Sequence, residues 1–130
     1  MIQLFEEFTK KRVCTFDLDG TIHKSVIGPH PTDPWEPELW EPNREMIDKM
    51  KEEAKTADVY IVTARDDNSY NRAAINKFIE MHDLPVKKVY YTDNRPKLPT
   101  LIKLGSMRHY DDVPHPELKP AGIEFVQIKN

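Results

Sequence analysis

The chain is predicted to fold as one α/β domain, residues 1–130, with a mostly parallel five-stranded sheet and helices on both faces. Three observations lead there. Short apolar, β-prone runs alternate with segments of helical periodicity, and that alternation implies a parallel sheet covered on both sides. The first run, Val13-Cys14-Thr15-Phe16, reads as a strand buried on both faces and stops abruptly at Asp17-Leu18-Asp19-Gly20-Thr21. The length of 130 residues, with 38% hydrophobic and 32% charged content, suits a single core rather than a disordered chain.

The elements follow in order. Met1 to Lys11 is expected to form a short leading helix with Leu4, Phe5 and Phe8 on its apolar face. Arg12 to Phe16 is the first strand. His23 to Glu41 is an irregular loop, punctuated by Pro29, Pro31, Pro34 and Pro37 and carrying Trp35 and Trp40. Pro42 to Lys55 has helical spacing, with Met46, Ile47 and Met50 on one face and Glu52-Glu53 on the solvated side. Val59 to Val62 is a second buried strand ending in Thr63-Ala64-Arg65. Ser69 to His82 is a second helix with Ala73, Ala74, Ile75, Phe78 and Ile79 inward. Lys88 to Tyr91 is a third strand, with Lys87-Lys88 as its solvated start. Pro99 to Leu104 is a short helix closed by Gly105, the residue that most easily takes the left-handed C-cap. Arg108 to Tyr110 is a fourth strand ending in Asp111-Asp112, and Ile123 to Ile128 a fifth at the sheet edge.

Composition narrows the function classes. No apolar run approaches the roughly 18 residues of a membrane span, and no signal-peptide pattern is present, so the chain reads as a cytoplasmic protein without membrane contact. The single cysteine, Cys14, has no internal disulfide partner and fits a reducing compartment; buried in a strand, it is a poor nucleophile. A net charge of −3 gives no general attraction for nucleic acid, so a polyanion would need a local basic patch.

Asp17 and Asp19 carry the chemistry. Residues two apart on an extended chain face the same side, and Gly20 lets the chain turn sharply behind them. Two carboxylates this close repel unless a cation sits between them or one takes a proton. Mg²⁺ suits such a site, because it needs only one or two carboxylates plus substrate phosphate. A calcium loop does not fit: it needs glycine at position six and glutamate at position twelve, whereas position twelve from Asp17 is Gly28. Ligands of open α/β sheets bind beyond the carboxyl ends of the strands. There the other strands supply Thr63 and Arg65, then Lys97 flanked by Pro96 and Pro99, then Asp111 and Asp112. A hydroxyl, cations and metal-ready carboxylates at one crevice are the equipment of phosphoryl transfer.

Phe16-Asp17-Leu18-Asp19-Gly20-Thr21, Val62-Thr63-Ala64-Arg65, Lys97 and Asp111-Asp112 resemble, in order and spacing, the four motifs of the haloacid dehalogenase superfamily, chiefly its Mg²⁺-dependent phosphatases. The resemblance implies a Rossmann-like domain of that family and the following roles. Asp17 would be the nucleophile that becomes an aspartyl-phosphate. Asp19 would be the general acid and then the base, protonated in the first step with the help of low dielectric and a neighbouring carboxylate. Thr63, with Ala64 and Arg65 beside it, would bind substrate, and Lys97 would neutralise charge between phosphate and Asp17. Mg²⁺ would sit on Asp17, the main-chain carbonyl of Asp19 and one of the acidic pair, Asp112 directly with Asp111 in support. Lys103, embedded in the short helix, is the competitor for the lysine role.

Neither the gap after Asp19 nor that after Thr63 has room for a folded cap domain, so the site is expected to be open to a large substrate or completed by a partner or a second copy. The substrate class is a phosphate monoester. Thr63-Ala64-Arg65 and Asp111-Asp112 also resemble the phosphatase half of polynucleotide kinase-phosphatases, although Val113 stands where those carry an arginine and a kinase half is not expected within these residues. A nucleotide or nucleic-acid 3′ end is therefore the alternative substrate. In that reading Arg65 grips a second phosphate, and Trp35 or Trp40 either stacks a base or anchors the loop. A non-catalytic binding or regulatory domain of the same fold is the alternative of a different class.

Overall fold

The computed structural model describes residues 12–24 and 34–129. The leading helix expected before Arg12 lies outside them, as does part of the proline-punctuated loop. Five strands, β1 (Arg12–Phe16), β2 (Ala57–Thr63), β3 (Val86–Tyr91), β4 (Ser106–Asp111) and β5 (Glu124–Gln127), form one sheet in the order β3-β2-β1-β4-β5. Every pairing is parallel. The helices are α1 (Arg44–Glu53), α2 (Ser69–Met81) and α3 (Leu98–Leu104), and no inserted domain stands among the described residues.

The strand order fixes where a ligand can sit. The chain winds outward from β1 to β2 to β3, then returns across the sheet through α3 to put β4 on the other side of β1. Connections leave β1 and β4 in opposite directions, and the crevice at that switch is where open sheets bind ligands. The registers bring the carboxyl ends of three strands level, Phe16 lying opposite Ile61 on β2 and Tyr110 on β4. Asp17 N–H extends the ladder one residue further, donating to the Tyr110 carbonyl at 2.8 Å.

Each face of the sheet has its own core. On one, Cys14, Phe16, Val59, Ile61 and Tyr110 pack against Met46, Ile47 and Met50 of α1 and Ala74, Ile75 and Phe78 of α2. On the other, Val62 packs with Leu101 of α3, Leu118 and Ile123. Asn43 caps α1 by accepting from Met46 N–H at 3.3 Å, which starts that helix two residues after Pro42. Asn68 caps α2 likewise. Gly105 ends α3 at φ 72°, the conformation foreseen for it.

Three local expectations change. β2, β3 and β4 each begin two residues earlier than the apolar runs suggest, because partners in the sheet extend them. Ala73 is exposed, since the buried stripe of α2 runs through positions 71, 74, 75 and 78. Asn71 takes the inward place as a satisfied polar group, donating to the Asp66 carbonyl and accepting from Trp35 and Arg65. Glu53 is not a solvated helix residue. Its Oε2 accepts from Arg108 at 2.6 Å, from Tyr110 Oη at 2.8 Å and from Cys14 Sγ at 3.3 Å. Burial alone would raise its pKa, but Arg108 and the two hydroxyl and thiol donors hold it below the usual glutamate range.

Glu53 thus links α1 to β1 and β4 as an anion. A carboxylate whose pKa is depressed on folding contributes stability above its unfolded value and loses it as pH falls through the folded value. Glu53→Gln should therefore lower the unfolding free energy at pH 7 by about 1–3 kcal/mol. The gap to wild type should close below the ordinary glutamate range. Urea titrations from pH 7 down to pH 3 check this, and a gap that is constant across that range would remove the charged role.

Candidate active site

Asp17 follows β1 directly and is buried, with 6% of its surface exposed. Its Oδ1 lies 2.7 Å from Lys97 Nζ, and its Oδ2 accepts from Thr21 Oγ at 3.2 Å. Lys97 caps the start of α3 and is itself buried, its Nζ also donating to Asp111 Oδ2 at 2.7 Å. One ammonium therefore bridges the ends of β1 and β4. Burial pushes Asp17 well above the carboxylate range; Lys97 opposes this, and Asp111 and Asp112 add to it.

Asp111 is the most heavily bonded carboxylate of the site. Oδ2 accepts from Lys97, from His109 Nε2 at 2.9 Å and from His115 Nε2 at 2.9 Å, while Oδ1 accepts from Val113 N–H. Burial would raise its pKa, yet His109 and Lys97 hold it far below the usual range. Burial also pushes His109 down, toward the neutral ring. With Nε2–H given to Asp111, its Nδ1 accepts from Thr15 Oγ at 2.8 Å. Asp112 is only partly buried, and burial and Asp111 push its pKa up.

Carboxylate oxygens of Asp17, Asp111 and Asp112 come within 4.8 Å of one another, so these three can hold a metal ion. The donor set fits a hard cation: it is all oxygen, and Asp17 and Asp112, pushed up first by burial and then by the neighbouring carboxylates, are groups whose charged forms a cation would favour. His109, Asp111 and His115 also converge. There a cation would have to displace the Lys97 ammonium and two imidazole donors already seated on one oxygen of Asp111.

Asp19 stands apart from the metal-ready set. Its carboxylate takes a two-pronged contact from Arg65, Nε to Oδ2 at 2.9 Å and Nη2 to Oδ1 at 2.7 Å, and His23 Nε2 lies 3.1 Å from Oδ1. Burial would raise its pKa, but His23 and Arg65 outweigh burial and hold it below the usual range. The neighbouring carboxylate expected to favour a proton on Asp19 is not beside it: Asp19 faces a guanidinium, and Asp17 is the group pushed up. The other ring nitrogen of His23, Nδ1, faces the Lys24 carbonyl at 3.1 Å. Both oxygens facing the ring are acceptors, so His23 is held between Asp19 and the main chain of Lys24.

A cavity of about 540 Å³ opens over these groups, lined by Asp17, Asp19, Lys97, Asp111 and Asp112 and rimmed by Ala64, Asn94, Arg95, Pro96, Val113 and His115. Thr63 lies beneath it rather than in its wall, fully buried, with Oγ accepting from Arg65 N–H at 3.3 Å. Arg65 is turned away onto Asp19, the Pro34 carbonyl and Asn71. Trp40 is buried against His23 and Phe78, with the Arg65 guanidinium 4.8 Å above its ring, which is an anchoring position. Trp35 is half-exposed beside Tyr70. Lys103 is exposed on α3.

His23, His109 and His115 join the site although none of them belongs to the four motifs. Spacing held the signal: His23 is four residues after Asp19, His109 two before Asp111 on the same side of β4, and His115 four after it.

No known family's sequence profile matches the chain, and no curated protein matches it at a significant level. Solved structures do match. A chain of a Pnkp1/Rnl/Hen1 complex superposes with a TM-score of 0.68 at 14% identity, covering 92% of this chain and 47% of that one. A chain of the Pnkp1/Rnl/Hen1 RNA repair complex gives 0.70 at 16% identity, with coverages of 92% and 43%. The chain therefore shares its fold with a portion of these proteins, spanning less than half the length of each.

A divalent cation that binds only the folded chain should raise its thermal midpoint; at a hundredfold excess over Kd the gain is about 2.7 kcal/mol. Asp112→Asn should remove most of that rise. Thermal scans with and without cation decide it, and an identical rise in wild type and variant would exclude Asp112 as a ligand.

Proposed function

We propose that the chain is a Mg²⁺-dependent phosphatase of the haloacid dehalogenase type that hydrolyses a phosphate monoester through an aspartyl-phosphate on Asp17. The observation that carries this reading is the Lys97 ammonium 2.7 Å from both Asp17 and Asp111, with Asp112 beside them at the open end of the cavity. A buried carboxylate with a cation on one oxygen and its other oxygen accepting from a hydroxyl is equipped to attack phosphorus.

In the first step an oxygen of Asp17 forms a bond to phosphorus as the bond to the leaving alcohol oxygen breaks. That oxygen takes a proton from Asp19, whose protonated form the negative charge of the bound phosphate favours. In the second step Asp19 accepts a proton from water, which attacks phosphorus and frees Asp17 and inorganic phosphate. Lys97 offsets the negative charge that builds on the phosphoryl oxygens. Ala64, just past the end of β2, completes the phosphate contacts, the buried Thr63 braces Arg65 from beneath, and Arg65 acts on Asp19 rather than on substrate. Asp17 and Asp112, with Asp111 and the Asp19 carbonyl in support, would hold Mg²⁺, which would supply positive charge to the phosphate oxygens.

A nucleic-acid end is the favoured substrate. The fold neighbours belong to Pnkp1/Rnl/Hen1 complexes, one of them an RNA repair complex, and the uncapped cavity admits a chain end. A partner that completes the open site follows from the same likeness. The unpaired, buried Cys14 suits a reducing, cytoplasmic setting.

Asp17→Asn should abolish turnover of 3′-phosphorylated oligonucleotides and aryl phosphates while leaving the fold intact, because an amide is a far poorer nucleophile than a carboxylate. Activity within about tenfold of wild type would remove Asp17 from this role. Lys97→Ala should cost about 10²–10³ in kcat, the usual effect of deleting one preorganised contact to a transition state. Lys103→Ala should stay near wild type. The reverse ranking would reassign the lysine. Excess chelator should stop the reaction, and full activity in its presence would overturn the metal assignment.

A further inference from the structure

The cation expected to grip a second phosphate, Arg65, is spent on Asp19, the Pro34 carbonyl and Asn71. Lys97 is likewise committed between two carboxylates. One more cation enters the cavity wall. Arg95 is exposed there, and its guanidinium has no hydrogen-bond or ion-pair partner among the described residues. The Asn94 side chain beside it lines the same wall and is likewise without a partner among them.

The backbone fixes both residues in place. Asp93 and Asn94 take left-handed conformations, φ 53° and 61°, in succession. Non-glycine residues seldom do so, and such strain gathers at ligand sites. The turn is stitched to the end of β2: Asn94 N–H donates to the Ala64 carbonyl at 2.8 Å, and Asp93 Oδ1 accepts from Asp67 N–H at 3.0 Å. Arg95 N–H closes the turn on the Thr92 carbonyl at 3.0 Å. Pro96 then stiffens the step to Lys97, whose ammonium already reaches Asp17. Arg95 is thus anchored two residues from a group at the reacting centre, on a turn that cannot swing away without breaking contacts to β2. A cavity of about 540 Å³ accommodates more than one phosphate group, within the usual range for whole ligands.

We infer that Arg95, with the Asn94 amide, is the subsite for a second phosphate carried by the leaving group next to the scissile monoester. This rests on the phosphatase reading above and adds the substrate class: a phosphate monoester whose leaving group, such as a nucleotide, bears a further phosphate. That phosphate is either the internucleotide diester of an oligonucleotide or the 5′-phosphate of a nucleoside 3′,5′-bisphosphate. Guanidinium is suited to both because it offers paired donors in a fixed fork.

The test compares kcat/KM for a 3′-phosphorylated dinucleotide, a nucleoside 3′,5′-bisphosphate, a nucleoside 3′-monophosphate and p-nitrophenyl phosphate in wild type, Arg95→Ala and Arg95→Lys. In Arg95→Ala the ratio of dinucleotide or bisphosphate efficiency to that of p-nitrophenyl phosphate should fall by about 10- to 100-fold, as for a lost charge-assisted hydrogen bond. Arg95→Lys should restore part of it. A drop confined to the dinucleotide assigns the diester, and one confined to the bisphosphate assigns the terminal phosphate. An unchanged ratio for both would overturn the subsite. Binding of a fluorescein-labelled 3′-phosphorylated dinucleotide to the Asp17→Asn protein, with and without Arg95→Ala, reads the subsite apart from turnover. If no substrate turns over, weaker binding without Arg95 upholds the subsite while the phosphatase reading fails. Equal binding removes the subsite whatever the activity.

Discussion

Everything at the carboxyl end of this sheet depends on one buried ammonium. Lys97 sits between Asp17 and Asp111, 2.7 Å from each, and all three are nearly closed to solvent. Two buried anions at the ends of adjacent strands would drive those ends apart, and removing one member of a buried ionic set typically costs about 3–5 kcal/mol. The interaction is a structural clamp before it is anything catalytic. It closes the gap between β1 and β4 at the point where the chain reverses direction across the sheet.

The remaining groups are arranged in two branches from that clamp. One runs inward from Asp111 through His109 to the hydroxyls of Thr15 and Ser106, which are 2.8 Å apart, so every polar atom in this buried chain has a partner. The other runs outward from Asp19 through Arg65 to Trp40 and Asn71, tying the site to the loop before α1 and to α2. The first branch stiffens the surroundings of Asp17. The second sets the charge state of Asp19. Because the branches share only the short Asp17-Leu18-Asp19 segment, the two carboxylates acquire opposite electrostatic environments two residues apart, one pushed toward the neutral form and one held as the anion.

Much of this was legible in the sequence because strand ends are. Apolar runs located all five strands, and the register of a parallel sheet then brings Asp17, Thr63 and Asp111 to one end without further information. Lys97 was legible from its place before a short helix. What the sequence could not carry were pairings across long separations between groups of ambiguous role. Arg65 looked like a ligand for phosphate, yet a carboxylate on another strand end captures it. Glu53 looked solvated, because nothing local shows that Arg108 and Tyr110 will arrive beside it. Histidines are hardest of all, since the same residue can be a loop filler, a ligand or a donor until its neighbours are known.

The loop between β1 and α1 is pinned at its base. His23 bridges to Pro42, Lys24 N–H donates to the Glu41 carbonyl, and Asn43 N–H donates to the Ile22 carbonyl at 2.7 Å. The core consequently registers that the chain leaves at Lys24 and comes back at Pro34, from where it is held by Arg65, Asn71 and Phe78 as far as Trp40. Closing a longer excursion costs little, since each doubling of a flexible loop adds only about 0.6 kcal/mol of closure entropy. Length between those two points is therefore nearly free to drift over evolution, and a lineage can remodel what overhangs the crevice without renegotiating the sheet.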